Sequence, residues 1–353
     1  MGAGLAGALL AWRLSARPEF RVTLLTGDGR PDATAASGGL VRAFEPGSET
    51  ARLAALSLAE LRADPRLRAW AGYRESPSLY ILGGADAPVA ALPPTARWYD
   101  AGRLAAEYGI HGLPDGAAAV WEPVAGHISP HGLRRAVCAD LAARGTAVTP
   151  GRLHTVARTG EGGVRYGVGS ITGETDALVL ATGAWTGPLL NSLGLPADGP
   201  GLRTKVVQCA VYRTAGRRPP PFVDGTTGLY GRPVGDDRML LGLPTRRWGA
   251  AAGAPHFLAR EERAVRTTAA RRLPGLSLER LVRPVAAVDA YGPSGQLALA
   301  PVADGSGRLF LFTGGGGGSA KLALAASHEA ADTLSARLHA PVPHPTCTPR
   351  EMS

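Results

Sequence analysis

The sequence contains few cysteines, and none of them stands in a motif. Its three cysteines, Cys138, Cys209 and Cys347, are far apart, odd in number, and outside any C-x-x-C pair or Cys/His cluster. Disulfide frameworks and structural zinc sites need paired or regularly spaced cysteines. We therefore predict no disulfide framework and no metal site, and we expect a protein of the reducing cytoplasm.

Lysine is nearly absent, although the chain is basic. Only Lys205 and Lys321 among the 38 basic residues are lysines, and the formal net charge is +9. The basic residues are scattered, without the Lys/Arg block and interleaved aromatic residues that are typical of nucleic-acid binding. We predict no nucleic-acid partner, and a basic surface that suits anionic small molecules.

The chain also lacks a long apolar run. Its apolar start, residues 1–10, has no positively charged leader and is soon followed by Arg13. A membrane-spanning helix needs about 20 apolar residues, and a signal peptide needs the basic leader. We therefore predict no membrane partner. The 353 residues exceed one ordinary core, which indicates two structural units.

A dinucleotide fingerprint begins at the second residue. Gly2, Gly4 and Gly7 form G-x-G-x-x-G before an apolar segment, residues 5–16, for which we predict a helix. In this motif the glycines permit a tight turn, the approach of a pyrophosphate and close packing of helix on sheet. The strand that normally precedes the motif is absent. Our hypothesis is that Met1 is an internal or misassigned start.

The second strand of this unit is predicted over residues 21–26. Thr26 ends it, where a carboxylate for ribose hydroxyls usually lies, and Asp28 offers an alternative two residues later. Small residues follow over 33–39, which we predict to be a loop. Further predictions are helices over 49–63, 131–144, 259–272 and 319–338, and strands over 79–82, 148–168, 176–185, 204–243 and 309–313.

Five consecutive glycines, residues 314–318, connect the last predicted strand to the last helix. A strand that enters a helix through glycines exposes several backbone N–H groups, which can stabilise negative charge on a ligand. The alternative is a loop with no ligand. The strand over 176–185 also ends in a glycine turn, where a ligand could approach the backbone.

Four segments together resemble the flavin-dependent amine and amino-acid oxidase family, the group of glycine oxidase, sarcosine oxidase and D-amino-acid oxidase. They are residues 2–7 with 22–25, residues 126–131 (Gly-His-Ile-Ser-Pro-His), residues 177–185 ending in Ala-Thr-Gly-Ala-Trp, and residues 308–325. Each segment is a weak signal alone, but jointly they are specific. The resemblance covers nearly the whole chain.

The resemblance implies an α/β fold with two units. A Rossmann-like FAD-binding domain would comprise residues 1–70, 127–203 and 285–353. An α+β substrate domain built on an antiparallel sheet would comprise residues 71–126 and 204–284. FAD would contact Gly2, Gly4, Leu5, Ala6, Gly7, Thr26, Asp28, Ser37, Gly38, Ala181, Thr182, Gly183, Trp185, Gly314, Gly315, Gly316, Gly317, Gly318, Ser319 and Lys321.

Four residues are candidates for contact with the substrate. Arg42 resembles the sarcosine-oxidase arginine that holds the substrate carboxylate, Lys321 matches that subgroup's second cation, and Arg283 resembles the L-R-P arginine of glycine and D-amino-acid oxidases. A guanidinium suits bidentate carboxylate binding. Tyr230 falls in the region that forms the family's substrate face. For each cation the alternative is an ordinary surface or domain-interface role, and for Tyr230 we favour packing.

Other side chains near these motifs have more ordinary interpretations. Arg232 lies in the same region as Tyr230, and we favour packing for it as well. His127 and His131 stand at a predicted helix start, so we expect them to cap or pack the helix and not to act as catalytic bases.

Two departures from the family pattern bear on the chemistry. The segment after Arg283, residues 284–287, has no cysteine where sarcosine oxidases tether flavin, so FAD should be non-covalent. Leu240 stands at the position of that subgroup's oxygen-activating lysine. The electron acceptor, O2 or another compound, therefore stays open.

The resemblance implies oxidation of an amino acid or secondary amine to an imine by hydride transfer to flavin. Two alternatives remain: a flavin-dependent dehydrogenase of a 2-hydroxy acid or other non-amine, and a flavin-binding relative without turnover. Substrate identity and the choice between monomer and homo-oligomer are not predicted.

Overall fold

The computed structural model describes residues 1–27, 32–84, 92–160, 162–195, 201–253, 255–304 and 307–339. Asp28 and Cys347 lie outside these residues. The helices in the described part of the chain are α1 (Leu5–Ser15), α2 (Ala33–Ala36), α3 (Ser48–Ala63), α4 (Pro65–Ala71), α5 (Ala101–Tyr108), α6 (Pro130–Ala143), α7 (Thr186–Ser192), α8 (Ala259–Arg272) and α9 (Ser319–His339). None of these helices has both the length and the apolar character that a membrane span requires.

The strands of the described residues belong to two parallel or mixed core sheets, one small antiparallel sheet and one large sheet. They are β1 (Thr23–Thr26), β2 (Leu40–Val41), β3 (Arg74–Leu82), β4 (Arg97–Asp100), β5 (Ala118–His127), β6 (Ala147–Pro150), β7 (Leu153–Arg158), β8 (Val164–Val168), β9 (Ile171–Thr175), β10 (Leu178–Leu180), β11 (Arg203–Gly216), β12 (Phe222–Asp224), β13 (Tyr230–Pro233), β14 (Arg238–Gly242), β15 (Leu276–Tyr291), β16 (Ala298–Pro301) and β17 (Leu309–Thr313).

The nucleotide-binding layer is built from short parallel strands. β1 pairs with β6, and β10 pairs with β17, both in parallel, while β16 adds antiparallel to β17. The first two residues lie between these pairs. The Met1 amine donates to Val179 O and the Ala181 N–H donates to Met1 O, both at 2.7 Å, and Gly2 N–H donates to Leu25 O at 2.8 Å. Met1 and Gly2 thus continue the backbone hydrogen bonding from β1 to β10.

Helices cover this layer with one apolar core. Leu9 and Ala8 of α1, Leu61 of α3, Val137 of α6 and Ala331 of α9 are almost fully buried in it. Burial of such aliphatic side chains is the main favourable term in folding. The core fixes the start of α1, and with it the fingerprint glycines, against the ends of β1 and β10.

The large sheet has the strand order β15-β11-β14-β13-β12-β3-β5-β2, with β4 on β5. Its pairs are antiparallel apart from β12 and β3, which run parallel. The expected α/β fold with an antiparallel second sheet is therefore confirmed, with one parallel pair added. β15 runs through the predicted domain boundary at residue 285, and the domain division itself stays a prediction.

The local predictions and the structure differ in several segments. The predicted strand over 176–185 is reduced to β10, and β15 was not predicted. Residues 33–36 form the short helix α2 instead of a loop, because the Asp32 side chain accepts the Ala35 N–H as an N-cap. Residues 71–126, where only 79–82 was predicted as a strand, supply three strands of the large sheet, β3, β4 and β5. The predicted bounds 259–272 and 309–313 coincide with α8 and β17.

Candidate active site

One large cavity of about 1430 Å³ runs between the nucleotide layer and the large sheet. The start of α1, the ends of β1 and β10, the glycine loop before α9, and strands β11, β13 and β15 border it. Ordinary small-molecule pockets hold about 300–1,000 Å³. The volume therefore suits a dinucleotide together with a substrate.

The fingerprint glycines at one end have separate physical roles. Gly2 has φ of +103°, and a Cβ there would lie 2.4 Å from Ala181 O. A Cβ on Gly7 would lie 2.0 Å from Gly2 O, whereas one on Gly4 would meet only Thr34 Oγ1, at 3.6 Å. Gly2 and Gly7 thus permit the turn and the helix packing, and Gly4 leaves open space on the cavity side. Gly7 itself does not border the cavity.

The first turn of α1 is free of competing acidic groups. Its N-cap is Gly4, which offers no side chain, and the turn has no acidic residue. Leu5 N–H donates to Thr34 Oγ1 at 3.1 Å, and Leu5 and Ala6 also border the cavity. A helix N-terminus of this kind attracts phosphate through its N–H groups and dipole.

The β1 end of the cavity contains both a predicted residue and several that the sequence did not suggest. Thr26 borders the cavity as predicted, while Asp28 lies outside the described residues. Arg134 and Arg135 of α6 also border it, and Arg134 forms an ion pair with Asp32. Arg135 therefore adds positive charge at this end of the cavity, while Asp32 balances the charge of Arg134.

The glycine loop at the other end is closely packed. Gly314 and Gly316 have φ of +99° and +55°, and a Cβ on Gly316 would lie 2.5 Å from the Tyr291 ring. The Ser319 hydroxyl donates to Gly316 O at 2.7 Å. All the remaining predicted residues of this wall, Ala181, Thr182, Gly183, Trp185, Gly315, Gly317 and Gly318, border the cavity as well. The loop geometry therefore requires glycine at several positions.

A buried charge cluster lies beside this loop. Glu45 Oε1 is 2.6 Å from Arg42 Nη2 and 3.0 Å from Lys321 Nζ, and the three side chains are only 5–12% exposed. Arg42 Nε also donates to Phe44 O at 3.0 Å, and its guanidinium stacks 4.7 Å from the Tyr80 ring centroid. The fold thus brings together two predicted cations, Arg42 and Lys321, around a carboxylate that was not predicted.

A second buried carboxylate fixes the segment that carries the cluster. Glu122 of β5 accepts the backbone N–H groups of Ala43 and Phe44, each at 2.9 Å. Burial raises the pKa of Glu122, against the two hydrogen bonds, which lower it. Burial also lowers the pKa of Lys321, while the neighbouring Glu45 raises it.

Not all of the other predicted substrate residues border the cavity. Tyr230 borders the cavity together with Gly38 and Ser37. Arg232 donates from Nε to Gly38 O at 2.6 Å and so ties β13 to that loop. Arg283 lies at an exposed position of β15 and is not among the described residues that border the cavity. The structure therefore does not bring Arg283 together with Arg42 and Lys321.

The two histidines at the start of α6 do not cap it. Ser129 is the N-cap and accepts the Gly132 N–H at 3.0 Å. His127 ends β5 in the interior, where burial lowers its pKa to about 4, and His131 contacts Arg134 at 2.9 Å. Neither histidine borders the cavity. His127 is partly buried, whereas His131 is exposed and so does not have the expected packing role.

Further polar side chains on the large sheet face the cavity without having been predicted. Lys205 of β11 and Asp289 of β15 are direct partners in the ladder, and Tyr291 and Gln208 border the cavity near them. Burial raises the pKa of Asp289 to about 6. The alternation of side chains along a strand is the only sequence signal for such residues, and it does not indicate which face of the sheet lies against a ligand.

The model of one protein family matches residues 1–333 of this chain, and that family is described as DAO, FAD dependent oxidoreductase. The chain belongs to this family. None of the curated proteins matches it in sequence.

Solved structures show the same fold at low sequence identity. Glycine oxidase from Geobacillus kaustophilus has 19% identity and a TM-score of 0.75, over 94% of this chain and 93% of that one. Iminodiacetate oxidase from Chelativorans sp. BNC1 has 19% identity and a TM-score of 0.70, over 95% and 94%. L-α-glycerophosphate oxidase from Mycoplasma pneumoniae, solved with FAD bound, has 13% identity and a TM-score of 0.75, over 95% and 93%.

Proposed function

We propose that this FAD-dependent oxidoreductase oxidises the C–N bond of a small amine or amino acid to an imine. The observation that carries the proposal is one continuous cavity that joins the fingerprint, the glycine loop and the buried cluster of Arg42, Glu45 and Lys321. When bound, FAD supplies a hydride acceptor for the carbon next to the amine nitrogen. Water then hydrolyses the imine.

The backbone of the chain would hold the cofactor. The N–H groups at the start of α1, with Arg134 nearby, would bind the pyrophosphate. The N–H groups of the glycine loop would lie against the ring system and favour negative charge there. The space beside Gly4 and the closely packed Gly316 fit these roles, because a side chain at either position would project into the cavity or into Tyr291.

The cavity lining favours an amine over a 2-hydroxy acid. A neutral amine can lose a hydride from its carbon without prior removal of a proton, whereas oxidation of an alcohol requires loss of the O–H proton to a base. Histidine, the most frequent such base, is absent among the described residues that border the cavity, where the carboxylates are Asp32, Glu45 and Asp289. The cluster contains two cations and one anion, and this excess of positive charge favours the neutral amine over the ammonium ion.

We further propose that FAD is bound non-covalently. Cys209 is buried and outside the described cavity lining, and burial raises the pKa of its thiol to about 11. Cys138 borders the cavity beside Arg134 of α6, and burial raises its pKa as well. Thiols that stay protonated are poor nucleophiles. Acid precipitation should therefore release all the flavin into the supernatant, and flavin that stays with the pellet would contradict this.

The reaction is tested by anaerobic titration of the purified holoprotein with amines, amino acids and N-methyl amino acids. We expect a member of this panel to bleach the flavin absorbance, and 2-hydroxy acids to leave it unchanged. A comparison of the rate of flavin reoxidation in air with the rate of reoxidation by a dye then identifies the electron acceptor. Bleaching by 2-hydroxy acids alone would favour the dehydrogenase alternative, and a protein that takes up no FAD would contradict the proposal.

A further inference from the structure

The two cations expected to bind a substrate carboxylate already share a carboxylate of the protein itself. Glu45 Oε1 contacts both Arg42 Nη2 and Lys321 Nζ, at 2.6 and 3.0 Å. Arg42 has two further contacts, since its Nε donates to Phe44 O and its guanidinium plane stacks on the Tyr80 ring. A carboxylate of the substrate would have to displace Glu45 to occupy the same place.

Such displacement is costly at this site. Glu45 and Arg42 are 7% and 4% exposed, and separating a buried ion pair leaves charges that water cannot reach. The segment also cannot swing away easily, because Glu122 holds the N–H groups of Ala43 and Phe44. The ion pairs and the anchored backbone together indicate a permanent arrangement.

The second oxygen of Glu45 is the polar group that this arrangement leaves for a ligand. Glu45 borders the cavity, and among the described residues neither of its oxygens accepts a hydrogen bond, while Oε1 lies within ion-pair distance of both cations and Oε2 has no ion-pair contact. A carboxylate oxygen accepts hydrogen bonds and offers none. The group that it suits is an N–H donor.

We propose that Glu45 determines the substrate class: the site takes amines without a carboxylate on the reacting carbon, and the amine N–H donates to Glu45 Oε2. This inference rests on the proposed oxidation of a C–N bond and narrows its substrate. Arg42 and Lys321 are then positioning residues, which hold the Glu45 carboxylate in place through their ion pairs with Oε1. A substrate carboxylate is excluded because Glu45 Oε1 already occupies the place between the two cations.

The first test measures binding without turnover. The holoprotein is titrated with benzoate and acetate, and binding is followed by the flavin absorbance spectrum and by the melting temperature. We expect wild type to bind these carboxylates weakly, and Glu45→Gln to bind them about 10- to 100-fold more tightly, because the substitution frees two charged donors. Glu49→Gln is the matched control, since Glu49 is an exposed carboxylate on α3, and it should behave as wild type.

Tight binding of benzoate by wild type, or no gain in Glu45→Gln, would overturn the proposal. If Glu45→Gln fails to retain flavin, Glu45→Ala with added acetate replaces it. Acetate should then restore flavin retention by taking the place of the missing side chain, and failure of rescue would count against the proposed role. Both readouts are independent of catalysis, so they stay decisive if the proposed amine oxidation is wrong.

The second test measures specificity with pairs of substrates that differ in one carboxylate, such as N-methylbenzylamine and N-methylphenylglycine. Wild type should reduce its flavin faster with the uncarboxylated member, and Glu45→Gln should shift the ratio of kcat/KM at least tenfold toward the carboxylated member. The opposite preference in wild type would overturn the proposal. Absence of flavin reduction by either member would contradict the proposed function, while the carboxylate titration would still decide the role of Glu45.

Discussion

Replacement of Gly7 by alanine should impair mainly the stability of the protein, whereas replacement of Gly4 should impair mainly its affinity for FAD. A Cβ on Gly7 would lie 2.0 Å from Gly2 O, although ordinary contacts begin near 3.4 Å. The difference of 1.4 Å must come from movement of α1 or of the turn, because a backbone oxygen cannot rotate away. Overpacking of this kind costs about 1–3 kcal/mol, and alanine regains up to about 1 kcal/mol in helix propensity.

Gly7→Ala should therefore lower the free energy of unfolding of the FAD-free protein by about 1–2 kcal/mol. Gly4→Ala meets only Thr34 Oγ1, at 3.6 Å, and Gly4 has φ of −64°, which alanine adopts readily. Its cost without FAD should stay below about 1 kcal/mol. Its Cβ occupies the space through which a pyrophosphate approaches, so FAD affinity should fall at least about tenfold.

The assay combines urea unfolding of the FAD-free proteins, followed by tryptophan fluorescence, with FAD titration followed by quenching of flavin fluorescence. We predict a loss mainly of stability in Gly7→Ala and mainly of affinity in Gly4→Ala. Gly4→Ala that unfolds as easily as Gly7→Ala and still binds FAD like wild type would refute these separate roles.

Three further predictions concern buried charges. Arg272 donates to buried Asp224 at 2.7 Å, so Arg272→Met should cost about 3–5 kcal/mol in urea unfolding, whereas exposed Arg165→Ala should cost less than about 1 kcal/mol. Equal costs would contradict this account. The folded pKa of Asp289 is raised to about 6, so its contribution favours the folded state at low pH and is lost as pH rises from about 4 to 6. Melting temperatures of the FAD-free protein should show this loss in wild type and not in Asp289→Asn. Glu122→Gln keeps one acceptor oxygen for two N–H groups, and it should lower the melting temperature and weaken substrate binding; unchanged binding would contradict its anchoring role.

Local sequence patterns predicted the secondary-structure elements that local interactions determine. The fingerprint at Gly2, the glycine run before α9 and the bounds of α8 each depend on residues close in the chain. Helix α2 was missed because one side chain, Asp32, decides it through an N-cap hydrogen bond. A single capping residue within a small-residue stretch is a weak signal beside the glycines that follow it.

The site itself could be predicted only in part, because its charged residues come from distant parts of the chain and meet only in the folded protein. Arg42 and Lys321 were singled out from motifs, but their shared partner Glu45 follows from how α9 and the segment before α3 pack. A carboxylate three residues after a candidate arginine was the signal available in the sequence. The L-R-P motif did not indicate which face of the sheet the Arg283 side chain occupies. β15 pairs with β11 through two register shifts, and such shifts change the face on which a residue lies.

The central claim is that this FAD-dependent oxidoreductase oxidises amines, and anaerobic reduction of its bound flavin tests this most directly. The holoprotein is mixed without oxygen with N-methylbenzylamine and N-methylphenylglycine, and with mandelate as the 2-hydroxy acid that matches the latter, while the flavin absorbance is followed. We expect bleaching by an amine and none by the hydroxy acid. Bleaching by mandelate, with the amines inert, would contradict the central claim.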